Sequence, residues 1–377
     1  MKIVYFEMRK SWLKISTLIV LIICAALDIY RIGNASRYYV STYGDFHEPY
    51  FRLYDTVCGD LDENRLAPFR ERLNELAELV AGGTFSTEYA PEKYIYTGYT
   101  YGDYSLFSGI AEEITYCATY GNASNEIASK AAEAYHFYKS TGNNYEMKKN
   151  ALIYQLYQNR NIPEYRATNW AGQYFSYDFS SLLCVVMLVL GLASSLTNEK
   201  ASGMNSLMTA YGKSRKSLLA KIISTAVYCA GLTIFFTGFD IVFCNYFLGI
   251  RGVDMPIYSA PIFQNSPFGF SFLSAFFICA EMRFLGMFSI ALLILLISKI
   301  SPNTVVSTIT SFAAFFVLIF LSLISDNVIN PIGLLTPKTY IREFGTINLF
   351  GEPVLLLYAA VLAGVFLCAA EISNMKG

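Results

Sequence analysis

The sequence predicts an all-α polytopic membrane protein: six transmembrane helices, with a mainly helical extracellular domain inserted between helices 1 and 2. Three observations carry that class. Hydrophobic residues make up 54% of the 377 residues and charged residues only 15%, against about a quarter charged in soluble domains. Six apolar runs match the roughly 20 helical residues that cross a hydrocarbon core about 30 Å thick. A polar stretch, residues 31–178, separates the first run from the second and is long enough to fold as one domain.

Residues 1–30 hold a basic segment and the first run, SWLKISTLIVLIICAALDIY. Lys2, Arg9, Lys10 and Lys14 in front of an apolar run imitate a secretory signal. The run is too long for a signal core, and Asp28, Tyr30 and Arg31 stand where a small-x-small cleavage site would be needed, so it reads as an uncleaved span.

In the extracellular domain, Leu66, Phe69, Leu73, Leu76 and Val80 recur at three and four, and Gly82-Gly83 supplies a stop, which predicts an amphipathic helix. Ile110, Ile114, Cys117 and Ala118, then Ile127, Ala131, Ala134 and Tyr138, predict a second helical stretch, and residues 147–157 a third. Between the first two lies YIYTGYTYGDYSLF. Its tyrosines offer flat faces with polar tips that suit a sugar or aromatic ligand; the preferred reading is a connecting loop packed on the helices. Six of the eight cysteines lie in or near apolar runs and read as packing residues. Cys58 and Cys117 fall in the outer domain, and the sequence leaves open whether they form a disulfide.

Residues 179–377 form the membrane domain with helices 2 to 6. The second span is FSSLLCVVMLVLGLASSL; the third, 222–248, follows the largest inner loop. The fourth ends in FLGMFSIALLILLIS, and the apolar piece FGFSFLSAFFICA before it makes the region too long for one straight span, which predicts a bend or an outer-leaflet segment. TVVSTITSFAAFFVLIFLSLI and VLLLYAAVLAGVFLCAA are the fifth and sixth.

Lysine and arginine set the orientation. An inner N-terminus also places Lys200, Lys213, Arg215, Lys216, Lys221, Lys299 and Lys376 inside, and leaves only Arg251, Lys338 and Arg342 in short outer loops. Both termini are then cytoplasmic. Within the spans, Asp240 lies nineteen residues from Lys221, roughly 28 Å at 1.5 Å per residue. Glu281 and Arg283 reach a similar depth from Lys299, so the three are expected to form a polar cluster at the membrane boundary.

The loop AYGKSRKS ends like a phosphate-binding loop. The required first glycine is replaced by Leu207, and the preceding SGMNSLMTA reads as helix rather than strand, so nucleotide binding is excluded. No Ser/His/Asp set, HExxH motif, metal-ligand spacing or carboxylate pair at a plausible depth stands out, and His47 and His136 read as surface residues. The expectation is no enzymatic activity in this chain. With a net charge of −1, nothing points to nucleic acid.

Residues 202–210 are expected to form a short helix broken by Tyr211-Gly212. With FEMRKSWLK at the N-terminus, NEKASG, AYGKSRKS and LLAKII around this loop, and NPIGLLTP and GEPV before the last span, the chain resembles the permease subunits of the type 2 ABC exporter family, in a branch with a large outer domain. The resemblance implies a plasma-membrane protein of bacterial type, with a second permease (identical or different) and an ATP-binding cassette ATPase as partners. ATP-Mg would sit on that ATPase, with no cofactor in this chain. Glu199, Lys200, Gly203, Gly212, Arg215 and Lys221 would form the ATPase-coupling loop. The implied cargo is a peptide, lipid-like or antimicrobial compound. Alternatives are an ATPase-coupled signalling or mechanotransmitting protein, and a receptor-like structural protein without an ATPase.

Overall fold

A computed structural model describes residues 2–42, 47–83, 89–212, 214–324 and 330–376. It is mostly helical and contains six helical segments long and apolar enough to cross a membrane.

A short basic helix, α1 (Lys2–Ser11), leads into α2 (Ile15–Thr42), whose apolar part is the first candidate span. Because α2 runs unbroken past Tyr30, the expected boundary between span and outer domain falls inside a helix. The inserted unit follows: α3 (His47–Val57), β1 (Gly59–Asp60), α4 (Glu63–Ala81), α5 (Thr100–Thr141), α6 (Asn144–Tyr157) and β2 (Glu164–Tyr165), antiparallel to β1. Asp62 caps α4 by accepting from the Asn64 N–H, and Gly82 ends it. Leu66, Phe69 and Leu76 are buried as their spacing predicts, with Phe69 stacked on Phe107 of α5. The tyrosine-rich segment is only partly a loop, since Tyr101 and Tyr104 belong to α5. Tyr94 is buried, and Tyr96 packs edge-on against Phe107.

The second candidate span joins α7 (Trp170–Ser176), α8 (Phe179–Leu192) and α9 (Ser195–Ala201). The break after α8 has a local cause. The Ala193 carbonyl accepts from Ser298 and Ser307, and the Ser298 hydroxyl in turn accepts from the Leu196 and Thr197 N–H groups, so polar side chains from other helices satisfy the freed backbone. Then come α10 (Met204–Ala210) and the long α11 (Ser214–Leu248).

The fourth candidate span is one continuous helix, α12 (Phe272–Ile300), capped by Ser271. The expected bend or surface segment is therefore corrected. Phe272, Ala275 and Phe276 continue the helix and pack with Trp170 and Phe175, and 29 residues reach about 44 Å at 1.5 Å each. The remaining elements are α13 (Thr304–Ile324), α14 (Pro331–Leu335), α15 (Lys338–Arg342), the hairpin β3 (Thr346–Leu349) and β4 (Glu352–Leu355), and α16 (Leu356–Lys376). Phe350 and Gly351 both have positive φ, the geometry of a tight two-residue hairpin turn.

α8 and α12 form the interior, with α12 also meeting α11, α13 and α16. Close approach is built in at Gly286, where a Cβ would lie 2.9 Å from the Pro331 carbonyl. The outer faces of α2 and α13 expose Ile15, Ile22, Ile309, Phe316 and Leu323, as expected of helices whose solvent is lipid.

One hydrophobic cluster runs from the inserted unit into the membrane domain, joining Ile110, Trp170 and Tyr165 to Ile257, Phe263, Phe272 and Leu334. The segment between α11 and α12 thus packs as part of the inserted unit. Arg160 ties it down by donating to the Ser266 and Pro267 carbonyls at 2.7 and 2.6 Å, its guanidinium stacked over Tyr157 and Tyr258.

Candidate functional site

The residues expected to couple to an ATPase divide into two groups. Gly203 and Gly212 bracket α10 with φ of +68° and +65° and no atom within 4 Å of an added Cβ, so glycine is set there by backbone conformation alone. They fold α9, α10 and the start of α11 into a compact helical turn. Leu207 and Tyr211 project from it, 60% and 75% exposed, beside exposed Lys200, Arg215 and Lys216. The Lys200 ammonium reaches the Lys299 carbonyl, which holds α9 to the end of α12. Lys213 lies outside the described residues.

Glu199 and Lys221 belong to a different environment from the exposed turn. Both are buried, at 6% and 3% exposure. The Lys221 ammonium donates to Glu7 Oε2 and Glu199 Oε1, each at 2.7 Å, and Lys10 donates to Glu199 Oε1 at 2.6 Å. Alternating charges from α1, α9 and α11 form one network, flanked by Trp12 stacked on Tyr228. The exposed turn is therefore braced on a buried ionic base that includes the N-terminal helix.

Deeper in the helices, Asp240 and Arg283 do come together, at 3.1 Å. Glu281 does not join them: it sits two residues from Arg283 on α12 and is exposed on another face. Its place is taken by residues from other spans. Ser180 donates to Asp240 Oδ2 at 2.7 Å and accepts from Arg283 at 3.1 Å; Tyr177 donates to Asp28 Oδ1, and the Asp28 and Asp240 carboxyls are within hydrogen-bonding reach of each other. Asp28 and Asp240 are 0% and 3% exposed, a buried carboxyl pair that the sequence reading does not bring together. A cavity of about 40 Å³ lined by Asp240, Arg283, Cys279 and Lys338 adjoins the pair. Another of about 420 Å³ opens beside Tyr177, between Arg31, Gln173 and Leu248.

In the inserted unit, Glu113 accepts from Tyr165 at 2.5 Å, from Tyr50 at 2.9 Å and from the Asn169 amide. Burial pushes its carboxyl up to about 7 against the pull of those three donors. Cys58 and Cys117 are both free thiols here, Cys117 buried in α5 with its pKa pushed up to about 12 by burial. A groove of about 600 Å³ between α4 and α5 is lined by Arg65, Arg72, Lys93 and Tyr96, so that the tyrosine segment borders open space there with cations nearby. His136 is exposed; the side chain of His47 lies outside the described residues. Among the described residues no group of three or more His, Cys, Asp or Glu is placed to hold a metal.

Comparison with protein-family models, with curated proteins and with solved structures finds no match.

Proposed function

We propose that this chain is the membrane-spanning permease subunit of an ATP-binding cassette exporter, with its energy drawn from a separate ATPase subunit that docks on the α9–α10 turn. The observation that carries the reading is that turn: an exposed apolar and basic knob, Leu207, Tyr211, Lys200, Arg215 and Lys216, standing on a buried ionic base. An ATPase moving the knob would move α1, α9 and α11 together through Lys10, Glu199, Lys221 and Glu7, which suits a coupling element. The chain has no phosphate loop of its own, so ATP-Mg belongs on the partner.

In this reading the knob and both termini are cytoplasmic, residues 31–178 are extracellular, and the protein sits in a bacterial plasma membrane, as its lysine and arginine placement favours. A second permease, identical or different, would cover part of the exposed apolar helix surface and complete a path for a peptide, lipid-like or antimicrobial compound. The mechanotransmitting alternative keeps its own support: the cluster joining Ile110 and Trp170 to Phe263, Phe272 and Leu334 would carry motion from the spans into the outer unit without a substrate. A photo-crosslinking residue at Leu207 tests the shared core of both readings. In native membranes it should capture an ATP-binding cassette subunit; capture of lipid alone refutes the docking. Vesicles loaded with ATP then separate export from mechanical signalling.

A further inference from the structure

The facing carboxyls of α2 and α11 have an unfilled requirement. Asp28 uses Oδ1 to accept from Tyr177, and Asp240 uses Oδ2 to accept from Ser180 and Arg283. Each has one oxygen left, Asp28 Oδ2 and Asp240 Oδ1, and both are buried without a hydrogen-bond partner. Orphaned buried acceptors are rare because each forfeits its hydration. Here two occur on carboxyls that lie within reach of each other. With both ionised, two negative charges face one guanidinium, Arg283, an excess of one negative charge.

We propose that Asp28 and Asp240 form a proton-binding site, in which one proton taken from water bonds to one carboxyl and is donated to the other, locking α2 against α11. A single proton answers both deficits: it supplies the hydrogen that the two open oxygens lack, and it makes the buried trio with Arg283 neutral. A metal cation fits less well, since the remaining oxygens are few and the guanidinium already stands beside Asp240. The cavity of about 40 Å³ against Asp240 and Arg283 has room for a water as proton donor and acceptor.

The other ionisable groups around the pair come from every packed element. Cys24 is on α2, Tyr174 and Tyr177 precede α8, Cys184 is on α8, Cys244 on α11 and Cys279 on α12. Across the small cavity the Lys338–Asp178 ion pair, 2.6 Å, is internally balanced. None of these supplies a second positive charge to the carboxyls, and Arg31, three residues after Asp28 on α2, is exposed where it lines the larger cavity beside Tyr177. Loss of the proton at high pH therefore leaves them repelling, and the contact of α2 with α11 loosens.

The proton site stands independently of any ATPase, and its test uses the full chain alone in lipid. Infrared difference spectra of wild type minus Asp28→Asn, and of wild type minus Asp240→Asn, should each lose the carbonyl stretch of one protonated carboxyl, the same band in both, because either asparagine supplies the missing hydrogen itself. Thermal stability of the wild type should fall as pH rises through the range in which that band disappears, and D28N should lose that part of the fall while keeping the part that Glu113 contributes. Asp28→Ser, which leaves Asp240 its Ser180 and Arg283 partners, is the second variant should the asparagine disturb folding, and it too removes the band. Persistence of the band in D28N or D28S, two separate bands lost in the two asparagine variants, or an unchanged pH response in D28N overturns the shared proton.

Discussion

Lys221→Met puts the buried ionic base under direct strain. Methionine nearly matches the lysine stem in length and removes only the ammonium, which is bonded at 2.7 Å to both Glu7 and Glu199. Those carboxylates are 4% and 6% exposed, so water does not replace the lost donor. Breaking a buried ion pair on one side costs about 3–5 kcal/mol. Lys10 remains on Glu199 at 2.6 Å and is itself partly exposed, which places the expected loss near the lower end, about 3 kcal/mol. Denaturant unfolding of the full chain in detergent measures it. Hydrogen exchange locates it, with protection falling first in α1, because Glu7 and Lys10 connect that helix to α9 and α11. Glu7→Gln in the same background should recover part of the loss, a coupling of about 2 kcal/mol, because the second change removes the buried carboxylate charge that Lys221 had faced, while Glu199 keeps Lys10. A Lys221→Met variant within about 0.5 kcal/mol of wild type, or strict additivity with Glu7→Gln, would show that the network carries no energy and does not brace the turn.

Glu113→Gln should remove a pH dependence. The carboxyl is raised from 4.5 to about 7 on folding, so its favourable contribution is complete below 4.5 and is lost as pH climbs to about 7, at most about 3 kcal/mol; unfolding titrations of the glutamine variant should show a decline smaller than the wild type's by that amount. Arg160→Lys keeps the charge but loses the fork to Ser266 and Pro267 and the stacking on Tyr157 and Tyr258, which should cost about 2 kcal/mol and speed protease cleavage between α11 and α12. Gly203→Ala and Gly212→Ala meet no neighbouring atom, so each should cost only the left-handed backbone penalty, about 1–2 kcal/mol, read by thermal unfolding, with asparagine cheaper than alanine.

Much of this organisation was legible in the residues. Span length, the three-and-four period of Leu66, Phe69 and Leu76, and the glycines around α10 are local signals, and each has its structural counterpart. What escaped depends on which helix faces meet. Asp28 pairs with a residue 212 positions away, and nothing in either span's own sequence fixes the rotation that brings them together. Glu199 looks like a loop charge until Glu7, Lys10 and Lys221 close around it. Glu281 and Arg283 are two apart, and on a helix such neighbours point to different sides, a geometric reason to separate them that depth counting ignores. The β3–β4 hairpin was hidden because Phe350 occupies a positive-φ position that usually belongs to asparagine, aspartate or glycine.

The docking of an ATPase on the α9–α10 turn is tested most directly by purifying the protein from native membranes alongside the double variant Leu207→Asp with Tyr211→Asp. Both side chains are exposed, so the variant should fold and insert like the wild type. The wild type should bring an ATP-binding cassette subunit and its ATP hydrolysis through purification, and the variant should lose both, at least tenfold, about 1.4 kcal/mol of binding. A wild type that purifies without any ATPase, or a well-folded variant that retains it in full, would contradict the account.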